Sequence, residues 1–257
     1  MNPINHPLLV VIVTMVGLAL SARLGVNLRR RRTEGEIDFS EYGLVESAAL
    51  TLLGLIIGFT FSMAIGRFDQ RKQCEAKEAN TIGTEYLRAG LLPPAEAAKV
   101  RGLLVDYLDQ RVLYYGTRWQ EDIDRINGKT ATLQAQMWST VETVAGASPP
   151  NPVVAVAVMG MNDVIDAQGY TQAAWLNRIP MTAWVLMVAI AIFANALLGY
   201  TSKSVGRERT LLMVMPMILA VAFFLIADID SPRWGLVRVA PENLENLALS
   251  LHAPGKP

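Results

Sequence analysis

The sequence predicts an all-α integral membrane protein with four transmembrane helices, arranged in two pairs around a helical soluble domain. Only 18% of the 257 residues are charged and 52% are hydrophobic, whereas a soluble domain normally carries about 25% charged residues. Asp, Glu, Lys and Arg are absent from four long stretches, residues 1–22, 47–66, 179–202 and 210–227. Each stretch approaches the roughly 20 apolar residues that a helix needs to span a bilayer. No segment has a strand-turn-strand pattern.

The first uncharged stretch predicts a retained membrane anchor. A cleaved signal peptide carries its positive charge before the apolar run, but here the run Arg29-Arg30-Arg31-Arg32 follows it. The alternative for all four stretches is a set of soluble core helices. Such helices usually keep a polar stripe, so four uncharged segments in one chain favour the membrane.

The charge pattern divides the chain into four parts. We expect transmembrane helices 1 and 2 with a basic hinge in residues 1–66, a helical extramembrane domain in 67–178, transmembrane helices 3 and 4 in 179–228, and a tail in 229–257. The charged stretch after the second span shows no helix breaker before Leu91-Leu92-Pro93-Pro94. This predicts one continuous helix from about Leu44 to Arg88, which begins as the second span and continues beyond the bilayer.

Proline and glycine divide the extramembrane region into further helices. One helix begins near Pro94 and is expected to stop at Gly128. The next covers about Thr130 to Val144, and a linker spans residues 147–152. A last amphipathic helix is expected from about Val153 to Asn177.

Composition argues against several classes of function. The net charge is zero, so nothing indicates a nucleic-acid partner. The single cysteine, Cys74, and the two histidines, His6 and His252, provide neither a disulfide framework nor an ordinary zinc site. Nucleotide-binding and catalytic-triad patterns are absent, and we expect no enzyme and no cofactor. The spans lack ionisable residues, which argues against an ion-coupled transporter.

The second span carries two patterns with a period of four residues. Small residues recur at Gly54, Gly58, Ser62 and Gly66, which lets helix backbones approach closely. Beside this ridge lies an apolar stripe of Ile57, Phe61 and Ile65. The ridge could pack on a neighbouring span of the same chain. Alternatively, several copies surround an axis and the stripe forms apolar rings that gate by dewetting. Spacing alone leaves both interpretations open.

The residues that follow this span resemble a known family. The stretch from Gly58 to Lys72, which reads GFTFSMAIGRFDQRK, continues through Glu75, Glu78 and Asn80 to Ile82-Gly83. It is similar to the bestrophin-like bacterial membrane proteins and, more distantly, to the second span of true bestrophins. The sequence DIDSPRWG at residues 228–235 resembles the acidic, proline-containing stretch after the last bestrophin span.

Bestrophins are pentameric anion channels with an apolar neck on their second span. The resemblance implies that Ile57, Phe61 and Ile65 occupy that neck, and that Asp228 and Asp230 lie near the position where bestrophins bind calcium. The tail lacks the dense acidic cluster of the calcium-sensing members, so we predict no metal site. The implied partners are the lipid bilayer, further copies of the chain in a pentamer, and inorganic anions.

These observations together predict a homo-oligomeric, anion-passing channel, multi-pass in the bacterial inner membrane, whose pore is lined by the second span. Arg67, Arg71 and Lys72 would supply positive potential at the pore exit, with Asp69 and Glu75 as structural ion-pair partners; a solvated helix face is the alternative for these charges. The alternative function is a non-conducting sensor or scaffold whose helical domain docks a partner protein. Arginine counting places the helical domain outside the cell and the family analogy places it in the cytoplasm, so the orientation stays open.

Overall fold

A computed structural model describes residues 6–31, 39–147, 151–202 and 211–253, and their regular secondary structure is helical. The helices are α1 (Pro7–Arg30), α2 (Phe39–Arg88), α3 (Pro94–Gly116), α4 (Gln120–Ala147), α5 (Pro152–Leu176), α6 (Met181–Thr201), α7 (Leu211–Asp230) and α8 (Glu242–His252), with a 3-10 turn at Ala89–Leu91. Most of the basic hinge, the basic loop between α6 and α7, and Pro149 and Pro150 of the 147–152 linker lie outside the described residues. Pro152, the last residue of that predicted linker, is the first residue of α5.

Four helices of the described residues are long and apolar enough to cross a membrane, and they begin at Pro7, Tyr42, Pro152 and Leu212. The third of these combines α5 and α6, of which α6 contains the predicted third span. The chain is therefore a multi-pass membrane protein, as the uncharged stretches predict. The predicted continuous helix from Leu44 to Arg88 is observed as α2, which begins slightly earlier, at Phe39.

The chain forms two compact units. Unit 1 comprises Met1–Phe68 and Arg178–Arg238, and unit 2 comprises Asp69–Asn177 and Val239–Pro257. In unit 1, α1 packs against α6 and α7. The core contains buried apolar side chains from α1, α2, α6 and α7, among them Leu18, Leu53, Ala64, Met187, Phe223 and Ile226.

Helices α1 and α6 run in the same direction and pack closely. Ser21 Oγ of α1 donates a hydrogen bond to the carbonyl oxygen of Ile192 at 2.6 Å. One turn further along, a side chain at Gly25 would overlap the backbone of Ala196, and one at Gly199 would overlap the backbone of Ala22. Glycine is therefore required at both positions, because small residues let membrane helices approach to backbone contact.

In unit 2, α3 packs against α4 and α8, and α4 packs against α5. The boundary between α3 and α4 differs from the prediction. Helix α3 ends at Gly116 and α4 continues through Gly128 without a break. A glycine within a helix costs only about 1 kcal/mol relative to alanine, which packing of the surrounding turns can offset. The break falls instead at Thr117, whose hydroxyl donates to the carbonyl oxygen of Leu113 at 2.7 Å.

Candidate functional site: the second span and its extension

The small-residue ridge of α2 faces away from the rest of its chain. Gly54, Gly58, Ser62 and Gly66 are all exposed. A side-chain carbon placed on any of the three glycines would meet nothing within 4 Å among the described residues. The opposite face of the same span is buried at Leu53, Thr60 and Ala64. The described part of this chain therefore leaves the ridge uncovered.

Two apolar stripes flank the ridge. On one side, Ile57 and Phe61 are half-buried and pack against the core of unit 1, and Ile65 is 39% exposed. On the other side, Leu55, Phe59 and Met63 are exposed, with Phe59 at 66%. Phe59 and Phe61 point about 200° apart around the helix, because each residue turns it by about 100°. The second stripe was not singled out from the sequence, and its spacing of four residues is the signal that would have indicated it.

Arg67 lies at the end of the unit 1 part of α2. Its Nη1 is 3.9 Å from Oδ1 of Asp230, and its side chain is only 14% exposed. Asp230 also accepts a hydrogen bond from Nε of Arg178 at 2.9 Å and one from the backbone N–H of Ile179 at 3.2 Å. The Asp230 carboxylate thus holds two cations and the segment that leads into α6.

The other predicted pore-exit cations and their partners lie in unit 2, in different environments. Arg71 is buried, with 1% exposure, and its Nε donates to the carbonyl oxygen of Ala174 at 3.4 Å. Lys72 and Asp69 are exposed. Asp69 makes no ion pair within 4.0 Å among the described residues. Of the three cations, Lys72 is the one that the structure leaves open to solvent within this chain.

Glu75 binds the start of α8. It is 1% exposed, and Oε1 accepts the backbone N–H groups of Asn243 and Leu244, both at 2.9 Å. Oε2 accepts the side-chain amide of Asn243 at 2.6 Å. A helix N-terminus has unpaired N–H groups and a partial positive charge, so the Glu75 carboxylate is a cap supplied from a distant helix. The spacing of four residues between Arg71 and Glu75 indicates a local ion pair on α2. The contact of Glu75 with α8 joins residues 168 positions apart, so no local pattern indicates it.

The DIDSPRWG segment folds back on its first aspartate. The Asp228 carboxylate accepts the backbone N–H of Leu236 at 2.6 Å and that of Val237 at 2.9 Å. Both aspartates of the segment are therefore occupied by protein donors, Asp228 by the turn and Asp230 by Arg178 and Arg67. Among the described residues, no group of three or more His, Cys, Asp or Glu side chains is arranged to hold a metal ion.

A buried polar cluster in unit 2 was not predicted from the sequence. Glu78 of α2 pairs with Arg111 of α3, and both are fully buried. Glu78 Oε2 also accepts the hydroxyls of Thr171 at 3.0 Å and Tyr115 at 3.3 Å. Burial, reinforced by the Glu78 charge, raises the pKa of Tyr115 above its ordinary value. For Arg111, burial alone would lower the pKa, but Glu78 together with Tyr107 and Tyr115 more than offsets this, so the pKa of Arg111 is raised. The cluster ties α2, α3 and α5 together, as buried charges require close partners.

The family model of the bestrophin-like domain matches residues 8–244, which is nearly the whole chain. The chain belongs to the bestrophin-like family. Among solved structures, the bestrophin-like chain is similar to a bacterial bestrophin homologue from Klebsiella pneumoniae, at 12% identity and a TM-score of 0.64, over 93% of this chain and 97% of that one. A single-substitution variant of that homologue aligns at 11% identity and a TM-score of 0.65, over 96% and 99% of the two chains. No curated protein matches.

At such low identity the structural likeness establishes the fold of the bestrophin-like chain. The resemblance stated from GFTFSMAIGRFDQRK and DIDSPRWG is thereby confirmed. The all-helical class and the four apolar spans are confirmed as well. The roles of individual α2 residues stay predictions.

Proposed function

We propose that this protein is a homo-oligomeric, anion-passing ion channel of the bacterial inner membrane, with a pore lined by α2. Membership of the bestrophin-like family supports an ion-channel function. The observation that carries the pore assignment is the uncovered ridge of Gly54, Gly58, Ser62 and Gly66. A single copy with four spans has no axial water path, so conduction requires several copies around an axis.

The ridge supports such an assembly because small residues on an uncovered membrane-helix face are typical of close helix contacts. With the ridge seated against a neighbouring copy, one flanking apolar stripe faces the axis and the other faces lipid or the neighbour. We assign the axis to Ile57, Phe61 and Ile65, whose rings would gate by dewetting. The contact of Ile57 and Phe61 with the core of unit 1 would hold the constriction rigid.

The experiment compares two phenylalanines of the same span in planar bilayers. Phe61→Ala should widen the constriction and raise single-channel conductance, whereas Phe59→Ala on the opposite side of the ridge should leave conductance unchanged. If Phe59→Ala instead raises the conductance and Phe61→Ala leaves it unchanged, the stripe of Leu55, Phe59 and Met63 lines the pore, and the channel function still holds. Absence of current from wild type and both variants would overturn the function. The reversal potential in a KCl gradient tests the anion preference.

A non-conducting sensor or scaffold is the second candidate. It is favoured by an open polar cleft of about 470 Å³ in unit 2, between α3 and α4, lined by Asp106, Asp109, Arg125 and Lys129 among others. Charges of both signs in one cleft would suit a partner segment of mixed charge. A monomeric protein in detergent, measured by mass photometry, would favour this candidate and exclude the channel function.

A further inference from the structure

The ends of the four spans meet at one level of unit 1. Asp230, the last residue of α7, accepts the backbone N–H of Ile179 at 3.2 Å, where the third uncharged stretch begins. The same carboxylate lies 3.9 Å from Arg67, which directly follows the second uncharged stretch. The ring of His6, just before α1, is 5.2 Å from the ring of Trp234, just after α7. Because all four uncharged stretches begin or end here, this level is a boundary of the hydrocarbon core.

The chain after α7 turns back towards this boundary. The backbone N–H groups of Leu236 and Val237 donate to the Asp228 carboxylate at 2.6 and 2.9 Å. The turn is tight, because a side-chain carbon at Gly235 would overlap the carbonyl oxygen of Asp228. Asp228 lies in the last turn of α7 and directly follows the fourth uncharged stretch. Leu236 and Val237 therefore lie beside the end of the fourth span and not beyond it.

The turn presents apolar side chains to its surroundings. Leu236 is 78% exposed and Val237 is 46% exposed. Trp234, partly exposed in the same turn, is of the residue type that is enriched where a membrane meets water. In water the apolar surface of Leu236 would stay uncovered, whereas at the bilayer boundary acyl chains cover such side chains.

Arg238 adds a positive charge next to these side chains. It is exposed and makes no ion pair within 4.0 Å among the described residues. The two carboxylates of the segment are occupied, Asp228 by the backbone of the turn and Asp230 by Arg178 and Arg67, so neither neutralises Arg238. Exposed apolar side chains with a basic residue beside them are typical of segments that lie in the headgroup region of a bilayer.

We propose that the turn of residues 231–238 is an interfacial anchor, in which Leu236 and Val237 contact the acyl chains of the bilayer and Arg238 contacts the phosphate of an anionic phospholipid. Hydrogen bonds within the chain hold the turn, so the anchor is formed before it meets lipid. Such an anchor fixes the depth of the end of α7 in the membrane. It does not depend on conduction or on the pore assignment to α2.

Fluorescence quenching in vesicles tests the apolar contact. The single cysteine is removed by Cys74→Ser, Leu236→Cys then carries an environment-sensitive fluorophore, and the protein is reconstituted in equimolar phosphatidylcholine and phosphatidylglycerol. A nitroxide near the head of a lipid acyl chain should quench strongly, and aqueous iodide should quench weakly. Leu87→Cys is the control, because Leu87 lies in unit 2 and is 72% exposed; it should show the opposite pattern.

Two results would overturn the proposal. If iodide quenches position 236 as strongly as position 87, the turn faces water. If position 236 is protected from both quenchers, another copy of the chain covers the turn in place of lipid.

The headgroup contact is tested with phosphatidylglycerol and phosphatidylcholine that carry the same nitroxide, used one at a time at equal mole fraction. Phosphatidylglycerol should be enriched about fivefold next to position 236, the ratio expected for one cation at a membrane surface. Arg238→Gln should remove this preference. Arg118→Gln removes the same charge from an exposed position of unit 2 and should keep it. A preference that persists in Arg238→Gln would exclude Arg238 as the phosphate contact.

Discussion

Glu85 illustrates how strongly a single buried group can be perturbed in this fold. The residue is fully buried in unit 2, and neither carboxylate oxygen has a hydrogen-bond partner among the described residues. Its Oε2 lies against Gly160 of α5, where any larger residue would overlap it. Burial raises the pKa of Glu85 to about 8, with Arg88 lowering it and Asp163 raising it. The carboxyl is therefore mainly protonated at neutral pH.

This predicts a pH dependence of stability with a definite sign. Between the ordinary pKa of 4.5 and about 8, the folded chain holds a proton that the unfolded chain has released. The free energy of unfolding therefore falls as pH rises through this window, by a few kcal/mol, and levels off above it. Glu85→Gln should remove this slope and raise Tm at pH 8.5, measured by thermal unfolding in detergent.

Asp166→Asn is the matched control. Asp166 lies on α5, is exposed and accepts a hydrogen bond from the side-chain amide of Asn162 at 3.0 Å. It is not among the charges that shift the pKa of Glu85, so this variant should keep the wild-type slope. If the free energy of unfolding changes with pH in the same way for wild type and Glu85→Gln, then Glu85 is ionised in the folded chain and the prediction is wrong.

At the scale of the element, α8 depends on a residue far away in sequence. It has only 11 residues, and isolated helices of that length are marginal in water. Leu244 is fully buried and Leu247 contacts Gly83 of α2, while Glu75 supplies the cap. Glu75→Gln should weaken the cap by about 1 kcal/mol. Amide hydrogen exchange of residues 242–252 should then rise several-fold.

Glu245→Gln provides the comparison for α8. Glu245 is exposed in the first turn of the helix, so this variant removes the same charge without touching the cap. Equal exchange in the two variants would mean that the apolar face alone holds α8.

Elements were predictable where one strong physical constraint governs them. An uncharged stretch that must cross a bilayer has few alternatives. The continuation of α2 beyond the span was predictable because no proline occurs between the span and Pro93. The predicted helix end at Gly128 was wrong, because the low helix propensity of one glycine costs less than the packing of the surrounding turns contributes. The tail helix was missed although Leu244, Leu247 and Leu251 have helical spacing. The positions of Arg71 and Glu75 could not be derived, since burial of a charged residue depends on partners about 100 and 170 positions away.

At the scale of the whole molecule, function depends on what covers the α2 ridge. Gly58 lies in the middle of the ridge, is exposed and has open space around it. Within one copy, a side-chain carbon at this exposed position meets nothing within 4 Å among the described residues, so we expect Gly58→Leu to leave the fold and Tm close to wild type. Between copies, the added side chain would hold the backbones apart and remove the close contact that small residues allow. Gly58→Leu should therefore shift the oligomer to smaller species in mass photometry and abolish bilayer currents.

Gly17→Leu separates this effect from the general cost of placing leucine at a helix glycine. Gly17 lies in α1, is exposed and has nothing within 4 Å among the described residues, so the two variants make the same chemical change on different spans. We expect Gly17→Leu to keep the wild-type oligomer. If both variants assemble normally, the ridge faces lipid and α2 does not surround an axis. If both variants dissociate into smaller species, the interface between copies includes α1, and the uncovered ridge no longer supports the pore assignment to α2.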